Sequence, residues 1–340
     1  MKKIIVTGGS GFIGSNLVNF LIQKNFFVIN IDKQSYSSNN YNKILNKNYK
    51  LFKLDINNKK ELISIIRKYR PMAIFNLAAE THVDRSIDGP KNFINSNFVG
   101  VFNLLEAIRY LKKKDNVKLR LIHVSTDEVY GDIKKNERSN ENFSYKPSSP
   151  YSATKAAADH LIKAYIRTYK IDAVISNCCN NYGPFQFPEK LIPKILYNIF
   201  NNKELPIYSK GHNIREWIYV KDHCNALYKL FLRGRSGQSY NVGSNINLKN
   251  IDLVKKILEL CKKQKIEIGA KSKISFIKDR PGHDLRYALN SNKIKKEINW
   301  KNKTNINDGL FHTIKWYKNN KKFLKKTSNK IFTKRLGLKV

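Results

Sequence analysis

The chain has 340 residues, 41% of them hydrophobic, which is enough to bury a sizeable core in one large domain or in two unequal ones. A formal net charge of +38 raises the class of nucleic-acid-binding proteins, but the lysines are scattered along the whole chain and no RNA- or DNA-binding motif accompanies them. We therefore interpret the charge as a compositional bias that also attracts anionic ligands, and we expect no nucleic-acid partner.

The cysteines and the apolar runs bear on the compartment. The four cysteines, at positions 178, 179, 224 and 261, show neither a disulfide framework nor CxxC metal spacing, which favours a reducing cytoplasm. No signal peptide precedes the first strand, and no apolar run reaches the roughly 18 residues of a membrane span. We expect a soluble, cytoplasmic protein. Because the histidines do not cluster at metal-ligand spacing, we expect no metal site.

The first strand leads into a glycine-rich turn. The apolar run Lys3–Thr7 is followed by GGSGFIG at 8–14, a GxGxxG pattern, and by an amphipathic helix that begins near Phe12. Glycines here allow a tight turn and a close approach of backbone N–H groups to a pyrophosphate at the positive end of the helix. A lone GxGxxG is weak evidence, but here it lies between a strand and a helix, as a dinucleotide-binding turn requires.

The second strand, Phe26–Ile31, ends in an acidic residue. Asp32 stands about 20 residues after the glycine turn, where a carboxylate binds the ribose hydroxyls of a dinucleotide. A negative charge there disfavours a 2′-phosphate and therefore indicates NAD rather than NADP. Lys33 weakens that preference slightly.

The alternation of strands and helices continues. The strand Lys50–Leu54 ends at Asp55, which fits two interpretations equally well: a carboxylate facing the adenine amino group, or the N-cap of a helix over Lys59–Tyr69. The strand Ala73–Leu77 comes next and delivers AAETHVDRS at the same sheet edge, before a helix from about Pro90 to Leu111.

The strand Leu121–Ser125 ends in three more polar residues, Thr126, Asp127 and Glu128. A helix carrying Tyr151 and Lys155 follows, and then a strand over Ala173–Ser176. Six such βα units predict an α/β fold: a doubly wound, Rossmann-like parallel sheet whose ligands bind at the carboxyl ends of its strands.

Tyr151 and Lys155 lie four residues apart, so they share one face of their helix. The spacing suits a Tyr–Lys acid/base pair, in which the ammonium lowers the pKa of the phenol. Taken alone the spacing is weak evidence, because a Tyr four residues before a Lys often arises by chance.

Several motifs together resemble a known family. The glycine turn, Asp32 and the Tyr–Lys pair resemble the extended short-chain dehydrogenase/reductase superfamily of nucleotide-sugar enzymes. Within it, THVDRS, STDEVYG, NNYGP, FPEKLIP, REWIYVKDH and DRPGHD resemble the dTDP-glucose 4,6-dehydratase family over residues 2 to 318. The most specific element is Thr126-Asp127-Glu128, since the sugar epimerases of the superfamily lack this acid pair.

The resemblance implies a mechanism and a set of roles. Tyr151 takes the C4 hydroxyl proton as hydride passes to NAD, and Thr126 binds the C4 oxygen. Glu128 removes the C5 proton, and Asp127, held protonated by pKa values pushed apart, protonates the leaving C6 hydroxyl. The catalytic residues are then Thr126, Asp127, Glu128, Tyr151 and Lys155. The cofactor-binding positions are Gly8, Gly11, Phe12, Ile13, Gly14, Asp32, Lys33, Gln34, Ser35, Asp55, Ile56, Leu77, Ala78, Ala79, Glu80, Thr81, Ser96, Tyr151, Lys155 and Asn181.

The carboxyl-terminal half is expected to bind the nucleotide sugar. We place a cofactor domain at residues 1–178, a mainly substrate-binding region at 179–320 with segments that return to the main sheet, and a basic tail at 321–340 that is frayed or docked on the surface. Arg215 is the expected phosphate ligand because a guanidinium binds phosphate oxygens bidentately. The substrate positions implied by the family are Thr81, Thr126, Asn180, Lys190, Leu191, Pro206, Ile207, Tyr208, Arg215, Asn250, Asp279, Arg280, Pro281, Gly282 and His283.

Three alternatives to dTDP-glucose dehydration stay open. A dehydratase of UDP-glucose would need the same residues, and a nucleotide-sugar 4-epimerase would need only the Tyr–Lys pair and NAD. A basic NAD-binding protein without catalysis is the third. The resemblance also implies a homodimer through the helices near Pro90–Leu111 and Tyr151–Tyr169, and a product used for rhamnose-type deoxysugars.

Overall fold

The computed structural model describes residues 1–39, 46–325 and 336–337. Most of the basic tail, residues 326–335 and 338–340, lies outside the described residues, so its predicted placement does too. The strands are β1 Lys3–Thr7, β2 Phe27–Asp32, β3 Tyr49–Lys53, β4 Ala73–Asn76, β5 Arg120–Thr126, β6 Ala173–Cys178, β7 Asn180–Tyr182, β8 Leu205–Tyr208, β9 Ile214–Tyr219, β10 Ser239–Val242, β11 Asn247–Lys249 and β12 Ile274–Ile277.

The helices follow the strands in regular alternation through the first half. They are α1 Phe12–Gln23, α2 Lys59–Tyr69, α3 Val83–Asp88, α4 Lys91–Phe93, α5 Gly100–Asp115, α6 Pro150–Tyr169, α7 Leu191–Phe200, α8 Val220–Arg233, α9 Asn250–Lys263, α10 Asn292–Ile298, α11 Ile306–Asn319 and α12 Lys321–Lys325. A π-helix, Ile94–Val99, joins α4 to α5, and a 3₁₀ turn, Asp127–Tyr130, follows β5.

Within the described ranges the main sheet has seven strands in the order β10-β6-β5-β4-β1-β2-β3, all paired in parallel. Helices cover both faces: α1 and α8 pack on one, and α2, α5 and α6 on the other. Because both faces are buried, the strands are nearly continuous apolar runs. The predicted doubly wound α/β fold is confirmed, with one more strand than the six predicted units supply.

The remaining strands build a smaller region of the molecule. β11, β9 and β7 form one sheet, β12 pairs with β8 in another, and a third apolar core lies among α7, α9 and α11. β10 leaves this region and joins β6 at the edge of the main sheet. The boundary at residue 178 stays a prediction, since the two halves exchange a strand.

Two helices are built so that they position the site. α6 begins with a capping box in which the Ser149 hydroxyl accepts the Ser152 N–H and the Ser152 hydroxyl accepts the Ser149 N–H, and Pro150 fills the first position. This fixed start places Tyr151 in the first turn. The predicted helix over Pro90–Leu111 is helical in the structure but extends to Asp115 and contains the π-helix, which the apolar periodicity did not indicate.

Candidate active site

The glycine turn brings three segments of backbone together. Gly8 has φ +70°, and a Cβ there would lie 2.7 Å from the Ala78 nitrogen, beyond β4. A Cβ on Gly14 would lie 2.1 Å from the Gly8 carbonyl oxygen. In the part of the chain that the structure describes, no side chain caps α1, whose N-cap is Gly11. The first N–H groups of α1 therefore face a cavity without a protein side chain to accept them, which is the arrangement that binds a phosphate.

Asp32 lies at the end of β2, beside this turn. Its carboxylate accepts hydrogen bonds from the Ser10 N–H at 2.9 Å, the Gln34 N–H at 2.7 Å and the Ser38 hydroxyl at 3.1 Å. Asp32 lines a cavity, called here the Asp32 cavity, whose walls also include Gly8, Gly11, Asp55, Leu77 and Ser96. A fixed carboxylate and a bare helix terminus in one cavity fit a dinucleotide with free ribose hydroxyls.

Asp55 also lines the Asp32 cavity, and the two interpretations of this residue can be separated. The N-cap of α2 is Asn58, whose side chain accepts the Glu61 N–H at 3.1 Å. The Asp55 carboxylate instead accepts the Asn57 N–H at 2.9 Å. The N-cap interpretation of Asp55 is therefore wrong, and its place in the cavity wall remains.

The π-helix contributes a polar clamp that the sequence analysis missed. Asn97, fully buried, accepts the Glu80 N–H at 2.8 Å and donates to the Glu80 carbonyl at 3.0 Å and to the Thr154 hydroxyl at 3.1 Å. These bonds fix the segment after β4 against α6. The extra residue per turn places Ser96 in the wall of the Asp32 cavity.

The end of β5 and the start of α6 meet in a second cavity of about 230 Å³, called here the Tyr151 cavity. It is lined by the glycine turn and by Thr126, Asp127, Glu128, Tyr151 and Lys155. All five expected catalytic residues thus share one space with the expected cofactor site. The relative exposure is 3% for Asp127, 8% for Tyr151 and 3% for Lys155.

Burial raises the pKa values of both carboxyl groups, Asp127 and Glu128. It raises the pKa of Asp127 well above its ordinary value, and the neighbouring carboxylate of Glu128 raises it further. Burial also raises the pKa of Glu128, but Arg280 and Arg215 oppose the shift. Both pKa values move upward, and that of Asp127 moves well above its ordinary value, which favours the protonated Asp127 that was expected. One buried oxygen of Asp127, Oδ2, has no hydrogen-bond partner in the described residues, so it can act on a ligand.

The Lys155 ammonium contacts the backbone at the end of β5. The Lys155 ammonium donates to the Val124 carbonyl at 2.7 Å, and its nitrogen lies 3.4 Å from His123 Nε2. Burial, followed by the charge of Glu128, raises the pKa of Tyr151 well above its ordinary value, while a hydrogen bond with Thr126 opposes this. The expectation that the Lys155 ammonium lowers the pKa of the phenol stays a prediction.

Beneath Lys155 lies a buried network that the sequence analysis did not single out. Asp159 Oδ2 accepts hydrogen bonds from the Ser125 hydroxyl at 2.7 Å, the Tyr145 hydroxyl at 3.0 Å and the Asn177 amide at 3.2 Å. Asp159 Oδ1 lies 3.6 Å from His123 Nε2. The signal was available, since Asp159 follows Lys155 by four residues on one helical face.

The tautomer of His123 follows from its other neighbour. Asn76 accepts the Thr7 hydroxyl at its carbonyl oxygen, so its NH₂ group faces His123 Nδ1 at 3.0 Å. Nδ1 therefore accepts, and Nε2 carries the hydrogen toward Asp159. Burial lowers the pKa of His123 well below its ordinary value, with Lys155 adding to the shift, so the ring stays neutral.

A third cavity, of about 350 Å³, opens beside the second and is called here the Arg215 cavity. The two share Glu128, Asn180, Glu189 and Lys190. Arg215 donates to the carbonyls of Asp284 and Leu285 and stacks on Tyr287 with its guanidinium carbon 4.2 Å from the ring centroid. These contacts hold a positive charge at the cavity wall, as the expected binding of an anionic group requires.

Arg280 supplies a second fixed cation in the Arg215 cavity. It pairs with Asp84 at 2.9 Å, and Tyr208 donates to the same carboxylate. Burial lowers the pKa of the cavity-lining Lys190, an effect that the charges of Glu189 and Glu128 oppose. Two guanidinium groups facing one cavity suit a diphosphate.

Most of the expected binding residues line one of the three cavities. Of the cofactor positions, all but Gln34 and Glu80 line the Asp32 cavity or the Tyr151 cavity. Of the substrate positions, all but Asp279, Pro281 and Gly282 line the Tyr151 cavity or the Arg215 cavity. Of these exceptions, Asp279 accepts a hydrogen bond from the cavity-lining His283 at 2.5 Å.

The cysteines and possible metal sites complete the description. Cys178, Cys179, Cys224 and Cys261 are free and buried, as small apolar residues would be. Among the described residues no three His, Cys, Asp or Glu side chains group so that they could hold a metal ion. Across the same ranges, none of the helices has the length and apolar character needed to cross a membrane.

Both the sequence and the fold are similar to those of known proteins. A sequence model of the family described as GDP-mannose 4,6 dehydratase matches residues 5–313. The dTDP-glucose 4,6-dehydratase of Escherichia coli is 43% identical over 99% of both chains. The dTDP-glucose 4,6-dehydratase of Streptomyces venezuelae, solved with NAD and TYD bound, superposes with a TM-score of 0.89 at 36% identity, covering 96% of this chain and 100% of its own. The UDP-glucose 4-epimerase of Thermus thermophilus, in complex with NAD, gives 0.85 at 25% identity over 94% and 99%.

Proposed function

Because the chain belongs to the GDP-mannose 4,6-dehydratase family and, within it, to the dTDP-glucose 4,6-dehydratases, we propose that it converts dTDP-glucose to dTDP-4-dehydro-6-deoxy-glucose. The enzyme is a hydro-lyase that uses NAD. We further propose that the product supplies rhamnose-type deoxysugar synthesis.

One observation carries the choice of dehydration over epimerisation. Asp127 and Glu128 line the same cavity as Tyr151 and Lys155. Inversion at C4 needs oxidation and reduction at that carbon only, so it would leave the two carboxyl groups without a task. Elimination of water needs one group to remove a proton and another to deliver one, and the acid pair supplies both.

The first half of the mechanism is oxidation at C4. When bound, NAD⁺ accepts hydride from the sugar and returns it in the same turnover. Tyr151, as phenolate, removes the proton of the C4 hydroxyl, while the Thr126 hydroxyl binds the same oxygen. Because burial raises the pKa of Tyr151, the phenolate needs a nearby positive charge, and we propose that the buried Lys155 ammonium and the nicotinamide provide it.

The second half is elimination across C5 and C6. A ketone at C4 makes the C5 proton acidic, and Glu128 removes it. Asp127, whose raised pKa keeps a proton on the carboxyl group, gives that proton to the departing C6 hydroxyl, which leaves as water. Glu128 then delivers a solvent-exchangeable proton to C5 as hydride returns to C6. The site is reset when Tyr151 loses the proton that it took from the C4 hydroxyl and Asp127 regains one.

The Arg215 cavity fits the nucleotide diphosphate. Arg215 and Arg280 are held by the protein so that their charges face the same space, and it adjoins Glu128 of the Tyr151 cavity. We propose that the diphosphate lies against these guanidinium groups and that the sugar reaches toward Tyr151. A dTDP-sugar and a UDP-sugar differ here by the base methyl and the ribose hydroxyl, so UDP-glucose remains the second candidate substrate.

We also infer a homodimer and a cytoplasmic location. Phe102 and Tyr110 on α5 are 41% and 43% exposed, and Tyr169 at the end of α6 is 41% exposed. Large apolar residues on adjacent helices favour burial against a second copy of the chain. The four free cysteines favour a reducing compartment.

Mass spectrometry of the sugar product tests the function. The purified protein is incubated in D₂O with dTDP-glucose and, separately, with UDP-glucose. We expect dTDP-glucose to lose water and to gain one solvent deuteron at C5, with no reduced cofactor left in solution. A product of unchanged mass inverted at C4 would make the protein an epimerase, and preferred turnover of UDP-glucose would reassign the base.

A further inference from the structure

A carboxylate between the two halves of the molecule binds two side chains from distant segments. Glu189 lies just before α7, and its carboxylate accepts the Tyr36 hydroxyl at 3.0 and 3.1 Å and Arg85 Nε at 3.2 Å. Tyr36 belongs to the loop after β2, and Arg85 belongs to α3. We call Tyr36, Arg85 and Glu189 the clasp.

Aromatic contacts pack the clasp from the side. The guanidinium carbon of Arg85 lies 4.2 Å from the centroid of the Tyr36 ring, close enough for a cation–π contact. The Phe187 ring meets the Tyr36 ring edge-on at 5.5 Å. The loop after β2 is therefore tied to the segment before α7 by a hydrogen bond to a carboxylate and by an edge-on aromatic contact.

The clasp stands at the wall of the expected cofactor site. Phe187 and Glu189 line the Tyr151 cavity, which the glycine turn lines as well. Ser37, next to Tyr36, lines both the Tyr151 cavity and the Asp32 cavity. Loss of the contact between Tyr36 and Glu189 would let the walls that enclose the space expected to hold NAD move apart.

The clasp is shielded at its carboxylate, while Tyr36 is 39% exposed. The Glu189 side chain is 7% exposed, and the Arg85 side chain is 29% exposed. Burial, together with the charge of Glu189, raises the pKa of Tyr36, so the phenol keeps its proton and donates throughout the physiological range. Hydrogen bonds to a charged acceptor in such a setting are stronger than those between neutral groups.

The chemistry of the proposed function demands retention of the cofactor. The electron pair taken from C4 must return to C6 of the same sugar, so a cofactor that left in between would strand an oxidised sugar. We propose that the clasp retains NAD between the two hydride transfers. The purpose given to the clasp rests on the proposed function, but the rate of NAD release can be measured without it.

The primary test measures retention without substrate. Wild-type protein and the variants Tyr36→Phe and Glu189→Gln are loaded with NAD and then diluted into a large excess of an NAD-consuming dehydrogenase with its own substrate. The trap reports the release rate. We expect each variant to release NAD on the order of 10-fold faster than wild type, because one charged hydrogen bond is lost. Release at the wild-type rate in both variants would overturn the proposal.

The chain offers a matched control. Glu297 accepts the Tyr240 hydroxyl at 2.9 Å and Arg235 Nε at 3.2 Å, the same three residue types, and none of these residues lines the three cavities. Glu297→Gln should release NAD at the wild-type rate. An equal acceleration in Glu297→Gln would assign the effect to general loosening of the fold and would overturn the clasp.

Turnover provides a second readout. Wild-type activity on dTDP-glucose should not depend on added NAD⁺, whereas the clasp variants should lose activity on dilution and regain it with added NAD⁺. A loss that NAD⁺ does not restore would contradict a role in retention. If no protein dehydrates dTDP-glucose but the variants still release NAD faster, the proposed function fails and the clasp stands.

Discussion

The buried Asp159 beneath Lys155 yields a prediction whose size follows from its contacts. Truncation in Asp159→Ala leaves the Ser125 and Tyr145 hydroxyls without the acceptor they use. Each buried donor left unsatisfied costs roughly 1–3 kcal/mol, and loss of one partner of a buried charge pair costs about 3–5 kcal/mol. We expect the free energy of unfolding to fall by about 4 kcal/mol.

The conservative variant separates the hydrogen bonds from the charge. In Asp159→Asn the amide oxygen can still accept from Ser125 and Tyr145, so we expect a loss of only about 1–2 kcal/mol. The charge beneath Lys155 disappears, and since Asp159 raises the pKa of Lys155 against the effect of burial, that pKa should fall. A weaker cation beside Tyr151 moves the rising limb of the kcat profile to higher pH.

Urea denaturation near neutral pH measures both variants, with unchanged m-values as the check on a two-state transition. The charged or titratable groups that face this site from neighbouring elements are Lys155, His123, Tyr145, Cys178 and Lys163. An alanine variant within about 1 kcal/mol of wild type would refute the hydrogen-bond argument. A kcat profile for Asp159→Asn that coincides with that of wild type would refute the electrostatic one.

Three further predictions concern the catalytic roles, the glycine turn and the histidines. Tyr151→Phe should abolish the near-ultraviolet absorbance change of nicotinamide reduction in a single turnover. Glu128→Gln should still reduce the cofactor but should slow deuterium exchange at C5 by about 100-fold or more. Normal turnover of Glu128→Gln would mean that another residue is the base. In Gly14→Ala the added Cβ would lie 2.1 Å from the Gly8 oxygen, so we expect a loss of about 1–3 kcal/mol in urea denaturation and weaker NAD binding. The control is Gly89→Ala, whose Cβ would lie 3.9 Å from its nearest atom and should change neither property. Burial lowers the pKa of His82 to about 4 and that of His223 to about 3. Their contribution to stability is present above the unfolded value of 6.5 and is lost as pH falls toward those values, about 3 kcal/mol for His82 and about 5 kcal/mol for His223. A flat urea midpoint across that window would contradict this.

The inner strands of the main sheet were predictable because burial on both faces leaves an apolar run, whereas the edge strand β10, with sequence SYNV, was not predicted. Observed ends differ from the predicted ones by one or two residues, as for β2, predicted at Phe26–Ile31 and observed at Phe27–Asp32. The π-helix was not predictable, because its cause is the contact between Asn97 and Glu80 rather than local periodicity. The short helix α3, which carries Arg85, was hidden in a segment interpreted only as a sheet edge.

The site was predictable where residues follow strands, and less so where they depend on packing. Thr126 and Asp127 follow directly from the end of β5. The direction of the Lys155 ammonium depends on the Val124 carbonyl, a backbone group that the local sequence does not single out. Glu189 was passed over because its partners, Tyr36 and Arg85, are 153 and 104 positions away.

The return of β10 to the main sheet has a consequence for synthesis on the ribosome. β6, whose last residue is Cys178, lies at an open sheet edge until Ser239–Val242 has been made. During that interval a nascent chain of about half the final length presents an unpaired strand, the kind of edge that recruits other chains. A fragment ending near residue 180 should therefore aggregate rather than fold, and the enzyme matures only when its later half has emerged.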